Sequence, residues 1–340
     1  MSKNKPIGAG IIGLGVGELH IAGFEAHPDC RVVALCDIDP AKRAMARERY
    51  PRARVYERAE ALIDDQEIGI VSIASYDDAH YAQLCRTLDA GKHAFVEKPI
   101  CTRDKELAEI RARLQRRPDL KISSNLILRK TPRFADLKAR VAGGRLGRIY
   151  YLEGDYDYGR LHKLDDAWRG TAPDYSVILG GAVHLVDLLL WLMAGRTAVE
   201  ATAMGNRISS AEAGLPFVSN DLVAALLRFD DGAIAKISAN FGCVRPHFHR
   251  VSVYGTLATF ENGTEDGCYW TQRDPAVPPE RTGLPYPGAA KGDLIPGFVD
   301  AVLGRGTAEV STTEILACMA VCMAVDRACR EGRPVTIRYD

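Results

Sequence analysis

The fold is decided by IGAGIIGLGVGELH at residues 7–20, where a short apolar run meets three closely spaced glycines and then a stretch suited to a helix. Glycines between a strand and a helix let the backbone turn tightly and approach a phosphate group, which then sits at the helix N-terminus. The glycines of the turn are Gly13, Gly15 and Gly17, so the third comes one place before its position in the usual GxGxxG spacing, where this chain has Glu18. The stretch predicts a dinucleotide-binding turn.

Short apolar runs alternate with helical periods from residue 6 to about residue 125. This alternation predicts an α/β fold with right-handed crossovers and a doubly wound, mostly parallel sheet. After residue 125 the pattern changes to alternating apolar and polar runs separated by turn signals such as Asp230-Asp231-Gly232. We therefore predict two domains, a dinucleotide-binding domain at residues 1–125 and a second α/β domain with a largely antiparallel sheet at residues 126–340.

The bulk composition excludes several classes of function. The 340 residues include 44 basic and 44 acidic ones, so no basic excess favours binding to nucleic acid or to an anionic membrane. The longest apolar run, around residues 182–194, contains His184 and Asp187 and is too short and too polar to span a bilayer. The N-terminal apolar run is typical of a first strand rather than a signal peptide. Nine cysteines without CxxC pairs indicate neither disulfides nor zinc, and favour a cytoplasmic location.

A second informative stretch is HAFVEKPI at residues 93–100, a short buried strand that ends in Glu97, Lys98 and Pro99. Proline cannot continue the strand ladder, so the strand ends here. In an open α/β sheet the carboxyl ends of the strands face the ligand crevice. Lys98 is therefore predicted at the mouth of the crevice, although a lysine that merely ends a strand is the alternative if this stretch is taken alone.

Asp37 supports the dinucleotide interpretation independently, because it ends the second strand 24 residues after Gly13. A carboxylate at this point can bind the ribose hydroxyls of NAD and repels the 2′-phosphate of NADP. Lys42 and Arg43 are near enough in sequence to leave NADP open. The alternative role for Asp37 is a helix N-terminal cap shared with Asp39.

With these parts assembled, the sequence resembles the glucose–fructose oxidoreductase, inositol dehydrogenase and rhizopine catabolism (Gfo/Idh/MocA) family. The resemblance covers nearly the whole chain. It rests on the glycine loop with His20 and on five further stretches: VSIASYDDAH at 71–80, GKHAFVEKP at 91–99, GGAVHLVDLLLWL at 180–192, IPGFVDAV at 295–302 and REGRPV at 330–335. The family implies an N-terminal Rossmann domain and a C-terminal α/β domain whose open sheet often joins subunits, which gives a homodimer or homotetramer.

The resemblance also implies hydride exchange between a nicotinamide cofactor, NAD or alternatively NADP, and a carbinol carbon of a sugar, polyol or sugar nucleotide. Lys98 matches the family's lysine that hydrogen-bonds the reacting hydroxyl and stabilises alkoxide charge. His184 matches the histidine proposed as general base in oxidation and as acid in reduction, a role that suits an imidazole. A lone histidine in an apolar helix would otherwise be taken as structural.

Matching positions supply the other candidate site residues. Cofactor binding is expected at the glycine loop and at the ends of three strands, namely at Gly13, Leu14, Gly15, Val16, Gly17, Glu18, Asp37, Ser75, His80, Glu97 and Lys98. Substrate binding is expected at Lys98, Asn125, Arg129, Trp168, Arg169 and His184. His80 is expected to border the nicotinamide or to cap a helix. His247 and His249 are expected to contact substrate or a second subunit, and no metal site is expected.

One position departs from the family pattern. Many members have an aspartate four residues before the histidine, where this chain has Gly180. Asp187, three residues after His184, lies on a neighbouring part of the same helix face and could orient the imidazole. Asp174 and Tyr175 are the other nearby candidates to replace the aspartate. The departure leaves the substrate class and the reaction direction open.

The predicted function is an NAD-dependent oxidoreductase acting on a secondary hydroxyl or ketone of a carbohydrate-like small molecule, with neither nucleic acid nor membrane as a partner. One alternative is a redox-assisted glycosidase that oxidises, eliminates and re-reduces with a bound cofactor. The other is a non-catalytic binding protein that senses NAD. The presence of both Lys98 and His184 weighs against the binding protein.

Overall fold

The computed structural model describes residues 5–165 and 175–340, so the predictions for Trp168, Arg169 and Asp174 lie outside the described residues. The strands of the described part are β1 (Ile7–Ile12), β2 (Cys30–Cys36), β3 (Arg54–Tyr56), β4 (Ile68–Ile73), β5 (His93–Val96), β6 (Ile122–Ser124), β7 (Ile149–Asp157), β8 (Ala198–Asn206), β9 (Leu222–Phe229), β10 (Ile234–Asn240), β11 (Phe248–Gly255), β12 (Thr259–Asn262), β13 (Gly267–Trp270), β14 (Glu280–Arg281) and β15 (Val335–Thr336).

Its α-helices are α1 (Gly17–Glu25), α2 (Pro40–Arg49), α3 (Ala59–Ile63), α4 (Asp77–Asp89), α5 (Asp104–Arg116), α6 (Pro132–Ala142), α7 (Val183–Leu192), α8 (Ile208–Glu212), α9 (Ile295–Val302) and α10 (Thr312–Glu331). Two 3₁₀ turns, Ile127–Lys130 and Leu161–Leu164, and a π-helical turn at Ile178–Ala182 complete the helical structure of the described residues.

The described residues divide into two compact units. The first consists of the chain up to Ile127 together with Ala290–Met319, and the second consists of Leu128–Ala289 and Ala320–Asp340. The predicted second domain, residues 126–340, needs correction, because Ala290–Met319 belongs to the first unit. The Ser123 hydroxyl, for example, donates a hydrogen bond to the Val310 carbonyl oxygen at 2.8 Å.

The first unit is built on a six-stranded sheet in the order β3-β2-β1-β4-β5-β6, with every pair parallel. The central strands are apolar on both faces, as expected where helices cover both sides of a parallel sheet. Ile11, Ile70 and Phe95 are fully buried. Because the order reverses between β1 and β4, the carboxyl ends of these two strands form the switch point where α/β sheets bind ligands.

Helix α1 lies unusually close to the turn that precedes α9. A Cβ atom on Gly23 would lie 2.6 Å from the carbonyl oxygen of Gly292, so the two backbones approach where only glycine leaves room. This contact ties the later segment Ala290–Met319 to the helix that follows the glycine loop.

The second unit is built on a nine-stranded sheet in the order β14-β13-β12-β11-β7-β10-β9-β8-β15. The β7–β10 pair is parallel and the remaining pairs are antiparallel. Helix α7 covers one face, since the Leu185 and Leu189 side chains lie 3.3–3.4 Å from where a Cβ on Gly154 of β7 would be. The predicted α/β class, with a doubly wound parallel sheet and a second, largely antiparallel one, is confirmed.

In the described part of the chain, no helix combines the length and hydropathy that crossing a membrane requires.

Candidate active site

The glycine loop has the tight backbone that its sequence predicted. Gly13 has φ of +88°, and a Cβ there would lie 2.3 Å from the Ala74 carbonyl oxygen. Gly17 starts α1 and packs on the sheet, because its Cβ would lie 3.0–3.1 Å from the side chains of Ile11 and Ala74. Close packing between helix and strand thus explains the unusual position of the third glycine. A Cβ on Gly15 would face open space, with only the Lys42 amine within 4 Å, at 3.9 Å.

The Asp37 carboxylate is fixed against this loop. It is buried, and its two oxygens accept the backbone N–H of Leu14 at 2.7 Å and of Asp39 at 2.9 Å. The Lys42 amine lies 3.6 Å away, while the Arg43 guanidinium donates to the Asp37 and Ile38 carbonyl oxygens. Asp39, not Asp37, caps α2 through the N–H of Ala41.

The residues present fit a dinucleotide. Helix α1 begins without a side-chain cap, so its first N–H groups can bind a pyrophosphate. Each Asp37 oxygen keeps a lone pair for a ribose hydroxyl. The Glu18 carboxylate accepts a hydrogen bond from Arg49 at 2.7 Å, which leaves the Glu18 backbone N–H, rather than its side chain, for the cofactor.

Glu97, the residue before Lys98, lies in a buried hydrogen-bond network at the carboxyl end of β5. Its Oε1 accepts from the Asn125 amide at 2.8 Å and lies 3.3 Å from His20 Nε2, while Oε2 accepts from the Lys98 backbone N–H at 3.3 Å. The other ring nitrogen of His20 lies 2.9 Å from the Ser72 hydroxyl. The network therefore joins α1, β4, β5 and β6 around the Glu97 carboxylate.

Glu97 stays ionised in this setting. Its burial raises the pKa, but the hydrogen bond with His20 and the positive charges of Lys291 and Lys98 outweigh it and hold the pKa of Glu97 well below its usual range. The fold thus maintains a buried negative charge directly before Lys98.

Asn125 has an acceptor left over. Its amide nitrogen donates to Glu97, while its Oδ1 is buried and accepts no hydrogen bond from the described residues. A buried acceptor of this kind is usually satisfied by water or a ligand. The ligand-binding role of Asn125 stays a prediction.

His80 lies at the first turn of α4, and its ring faces two backbone carbonyl oxygens. Nδ1 is 2.7 Å from the oxygen of Pro99 and Nε2 is 3.1 Å from that of Ser75. Both ring nitrogens are therefore engaged with the protein backbone. We correct the expectation that His80 borders the nicotinamide, because the ring is 1% exposed and its polar atoms are already used.

In the second unit, α7 directly follows the π-helical turn, and His184 is its second residue. Such turns are frequent at functional sites, because the wider backbone re-aims the side chains beside it. The ring is buried, 6.5 Å from the ring of Tyr156 and 6.3 Å from that of His249.

Gly180 in the π-helical turn makes room for a tyrosine. A Cβ at this position would lie 2.1 Å from the Tyr175 hydroxyl. Tyr175 is itself held by ring contacts with Phe217 and Phe241. The Tyr175 hydroxyl thus occupies the space where the Cβ of an aspartate at position 180 would lie.

His249 is paired with Tyr286, a residue that the sequence did not single out. The Tyr286 oxygen accepts the backbone N–H of His249 at 3.0 Å and lies 2.6 Å from its Nδ1. Burial raises the pKa of the Tyr286 hydroxyl to about 12, so the phenol stays protonated and can donate to Nδ1. His247 and His249 form a cluster with Tyr156 and Tyr286 near His184. The sequence indicated only the RPHFH part of this cluster, because Tyr286 lies in the distant Pro/Gly-rich loop.

Arg129 and Asp187 form a buried ion pair. The Arg129 guanidinium donates to the two Asp187 oxygens at 2.9 and 2.6 Å, and both side chains are almost fully buried. The pair gives both residues a structural role, while substrate binding by Arg129 and orientation of His184 by Asp187 stay predictions. In the described part of the chain, no group of three or more His, Cys, Asp or Glu side chains could hold a metal ion.

Comparison with known proteins identifies the family. Residues 7–123 match the oxidoreductase family with an NAD-binding Rossmann fold, and residues 134–261 match the GFO/IDH/MocA C-terminal domain. The chain belongs to the Gfo/Idh/MocA oxidoreductases. Its first unit is an NAD-binding Rossmann domain, as the glycine loop and Asp37 predicted.

Relatives of the chain include inositol dehydrogenases. Inositol 2-dehydrogenase 2 of Saccharopolyspora erythraea is 30% identical over 196 residues, which are 57% of this chain and 56% of that protein. An inositol 2-dehydrogenase of Acidothermus cellulolyticus is 24% identical over 266 residues, 78% of this chain and 73% of that protein. The match to the first of these spans little more than half of its length.

Solved structures share the complete fold. Myo-inositol 2-dehydrogenase from Lactobacillus plantarum has a TM-score of 0.82 at 21% identity, covering 98% of this chain and 100% of that one. The WlbA dehydrogenase from Bordetella pertussis, in complex with NADH and UDP-GlcNAcA, has a TM-score of 0.83 at 20% identity, covering 99% and 100%. At this identity the likeness shows the fold.

Proposed function

We propose that this protein is an NAD-dependent dehydrogenase that oxidises a secondary hydroxyl of a cyclic polyol or sugar, or reduces the matching ketone. The observation that carries the proposal is the buried, ionised Glu97 next to Lys98, in the same unit as a glycine loop and an Asp37 carboxylate that fit NAD. A buried charge costs free energy that its partners must offset, and a buried ionised group of this kind at a strand end is typical of functional sites.

Bound NAD supplies the hydride acceptor, or as NADH the hydride donor. Lys98 donates a hydrogen bond to the reacting oxygen and stabilises the negative charge that develops there. The hydrogen bonds of Glu97 with Asn125 and with the Lys98 backbone, and its contact with His20, fix the end of β5 that carries this lysine. His184 takes the hydroxyl proton in oxidation and returns it in reduction.

The substrate class follows from relatives and from the second unit. Two relatives are named inositol 2-dehydrogenase, and the WlbA structure holds a nucleotide sugar. The rings around His184 form a wall of aromatic and imidazole groups, which suits a compact cyclic molecule with an apolar face and hydroxyl edges. We place inositols and simple sugars first and sugar nucleotides second.

A homo-oligomer through the open face of the nine-stranded sheet is part of the proposal. The strand registers place Leu226, Met204, Ile234 and Trp270 on the same face. All four are between 41% and 78% exposed, so the face carries large apolar side chains in water. A second copy of this chain, packed on the same face, would bury them.

The test is a panel of myo-inositol, scyllo-inositol, monosaccharides and a UDP-linked uronate, each with NAD or NADP, monitored by nicotinamide absorbance. Turnover with NAD and one polyol or sugar is the expected result. Cleavage of a glycoside without net nicotinamide reduction would favour the redox-assisted glycosidase. Tight NAD binding without turnover on any substrate would favour the NAD-sensing protein.

A further inference from the structure

His80 is a buried side chain that the proposed chemistry does not use, and both of its ring nitrogens contact the backbone. It lies on the first turn of α4, is 1% exposed and contacts two carbonyl oxygens that follow two neighbouring strands of the sheet. Ser75 comes two residues after β4, and Pro99 comes three residues after β5. These carbonyls lie beyond the strand ladders, so a buried donor is needed to satisfy them.

The shorter of the two contacts assigns a proton. A separation of 2.7 Å between Nδ1 and the Pro99 oxygen requires Nδ1–H to donate, since a carbonyl oxygen can only accept. Nε2 lies 3.1 Å from the Ser75 oxygen. His80 thus bonds to the residue that follows Lys98 and lies against the residue that follows the end of β4.

The backbone of Lys98 is held on both sides. Its N–H donates to the Glu97 carboxylate at 3.3 Å, and the carbonyl of the next residue accepts from His80. A lysine side chain has about four rotatable bonds, so its amine is placed reproducibly only if the backbone that carries it is fixed. Misplacing a reacting group by about 1 Å can reduce turnover by about 100-fold.

We propose that His80 is a positioning residue for Lys98: its Nδ1–H clamps the Pro99 carbonyl and thereby fixes the lysine against the end of the sheet. This inference rests on the proposed function, because it takes Lys98 as the group that acts on the substrate. His80 touches neither substrate nor cofactor in this role, so its effect on turnover passes through Lys98.

The experiment compares His80→Gln and His80→Leu in the wild-type chain and in Lys98→Ala. Gln keeps an amide donor and Leu keeps none, so kcat is expected to fall about tenfold or more in His80→Leu and less in His80→Gln, with the NAD dissociation constant within about twofold. In the Lys98→Ala background the same changes are expected to alter kcat less than about twofold, because His80 then has nothing to position. Tyr81→Phe is the matched control. Tyr81 follows His80 on α4, and the change removes its hydrogen bond to Glu109 on α5, so kcat is expected to stay at the wild-type value.

Three results would overturn the clamp: full turnover in His80→Leu, an equal loss in the Lys98→Ala background, or an Nδ1 without a proton in nitrogen-15 spectra of histidine-labelled wild type. The spectra apply even if His80→Leu does not fold, because they use the unmodified protein, with His80→Gln assigning the signal. Unchanged turnover in Lys98→Ala alone would instead refute the proposed function. An impaired Lys98→Ala beside a fully active His80→Leu would refute only the clamp.

Discussion

At the level of single residues, Glu97 shows how the fold maintains a buried charge for chemistry. Its lowered pKa means that its ionised form stabilises the folded state above the ordinary carboxyl pKa of 4.5, and that this stabilisation is lost as the pH falls toward the folded-state value. Replacing Glu97 by Gln is expected to lower the free energy of unfolding at pH 7 by about 1–3 kcal/mol, because the hydrogen bonds to a charged acceptor are lost.

The measurement for Glu97→Gln is denaturant unfolding of both proteins from pH 7 to pH 3. The difference between the two free energies should shrink once the pH is below about 4.5, since Glu97 then takes up a proton in the unfolded wild type while it stays ionised in the folded protein. A difference that stays constant over this range would show that the charge of Glu97 is not the stabilising feature.

Gly180 makes a second prediction about a single residue. Gly180→Ala places a methyl group 2.1 Å from the Tyr175 hydroxyl and is expected to lower the free energy of unfolding by about 1–3 kcal/mol through overpacking. The same change in a Tyr175→Ala background should have a much smaller effect, because the oxygen is gone. Gly306→Ala, where a Cβ would meet nothing within 4 Å, is the control. Equal losses in both backgrounds would contradict the assigned contact.

What sequence could predict at this scale was the identity of the reactive groups, not their partners. Lys98 and Asp37 were recognisable because their position at strand ends follows from local pattern. The ring of His80 and the amide of Asn125 bind partners 19 and 28 residues away, which no local pattern encodes. The ion pair of Arg129 was not predictable for the same reason, since its partner Asp187 is 58 residues further along the chain.

At the level of elements, the Arg129–Asp187 pair is expected to anchor α7 to the 3₁₀ turn at Ile127–Lys130. Asp187→Ala removes the carboxylate that accepts two hydrogen bonds from a buried guanidinium and should lower the free energy of unfolding by about 3–5 kcal/mol. Asp119→Ala, in an exposed pair with Arg117, should have a far smaller effect, because solvent screens that pair. Denaturant unfolding checks both variants, and equal effects would contradict the structural assignment.

Most elements of the first unit were predictable, because strands such as β1 and β5 are apolar runs bounded by turn residues. Strand β8 was not predicted, since AVEATAMGN has few large apolar side chains and gains its place from pairing with β9. Membership of Ala290–Met319 in the first unit was also not predictable. It depends on tertiary contacts such as the Thr312 hydroxyl with the Ile122 backbone.

For the whole molecule, the face of the second unit's sheet that exposes Leu226, Met204, Ile234 and Trp270 predicts self-association. Replacing Leu226 and Met204 together by Glu places charges on this face and should convert the oligomer to a smaller species, as measured by light scattering during gel filtration. Val218→Glu, at an equally exposed residue outside the strands, should leave the assembly unchanged. An unchanged mass in the double variant, or a monomeric wild type, would contradict an interface on this face.

The most direct test of the central claim is the steady-state turnover of Lys98→Ala with NAD and the best polyol or sugar of the panel. Lys105→Ala, an exposed lysine on α5, serves as the matched control. Loss of the group that stabilises the developing alkoxide should lower kcat by about 10²–10³-fold while the NAD dissociation constant stays nearly unchanged. Turnover equal to that of the wild type would contradict the assignment of Lys98 as the residue that acts on the substrate hydroxyl.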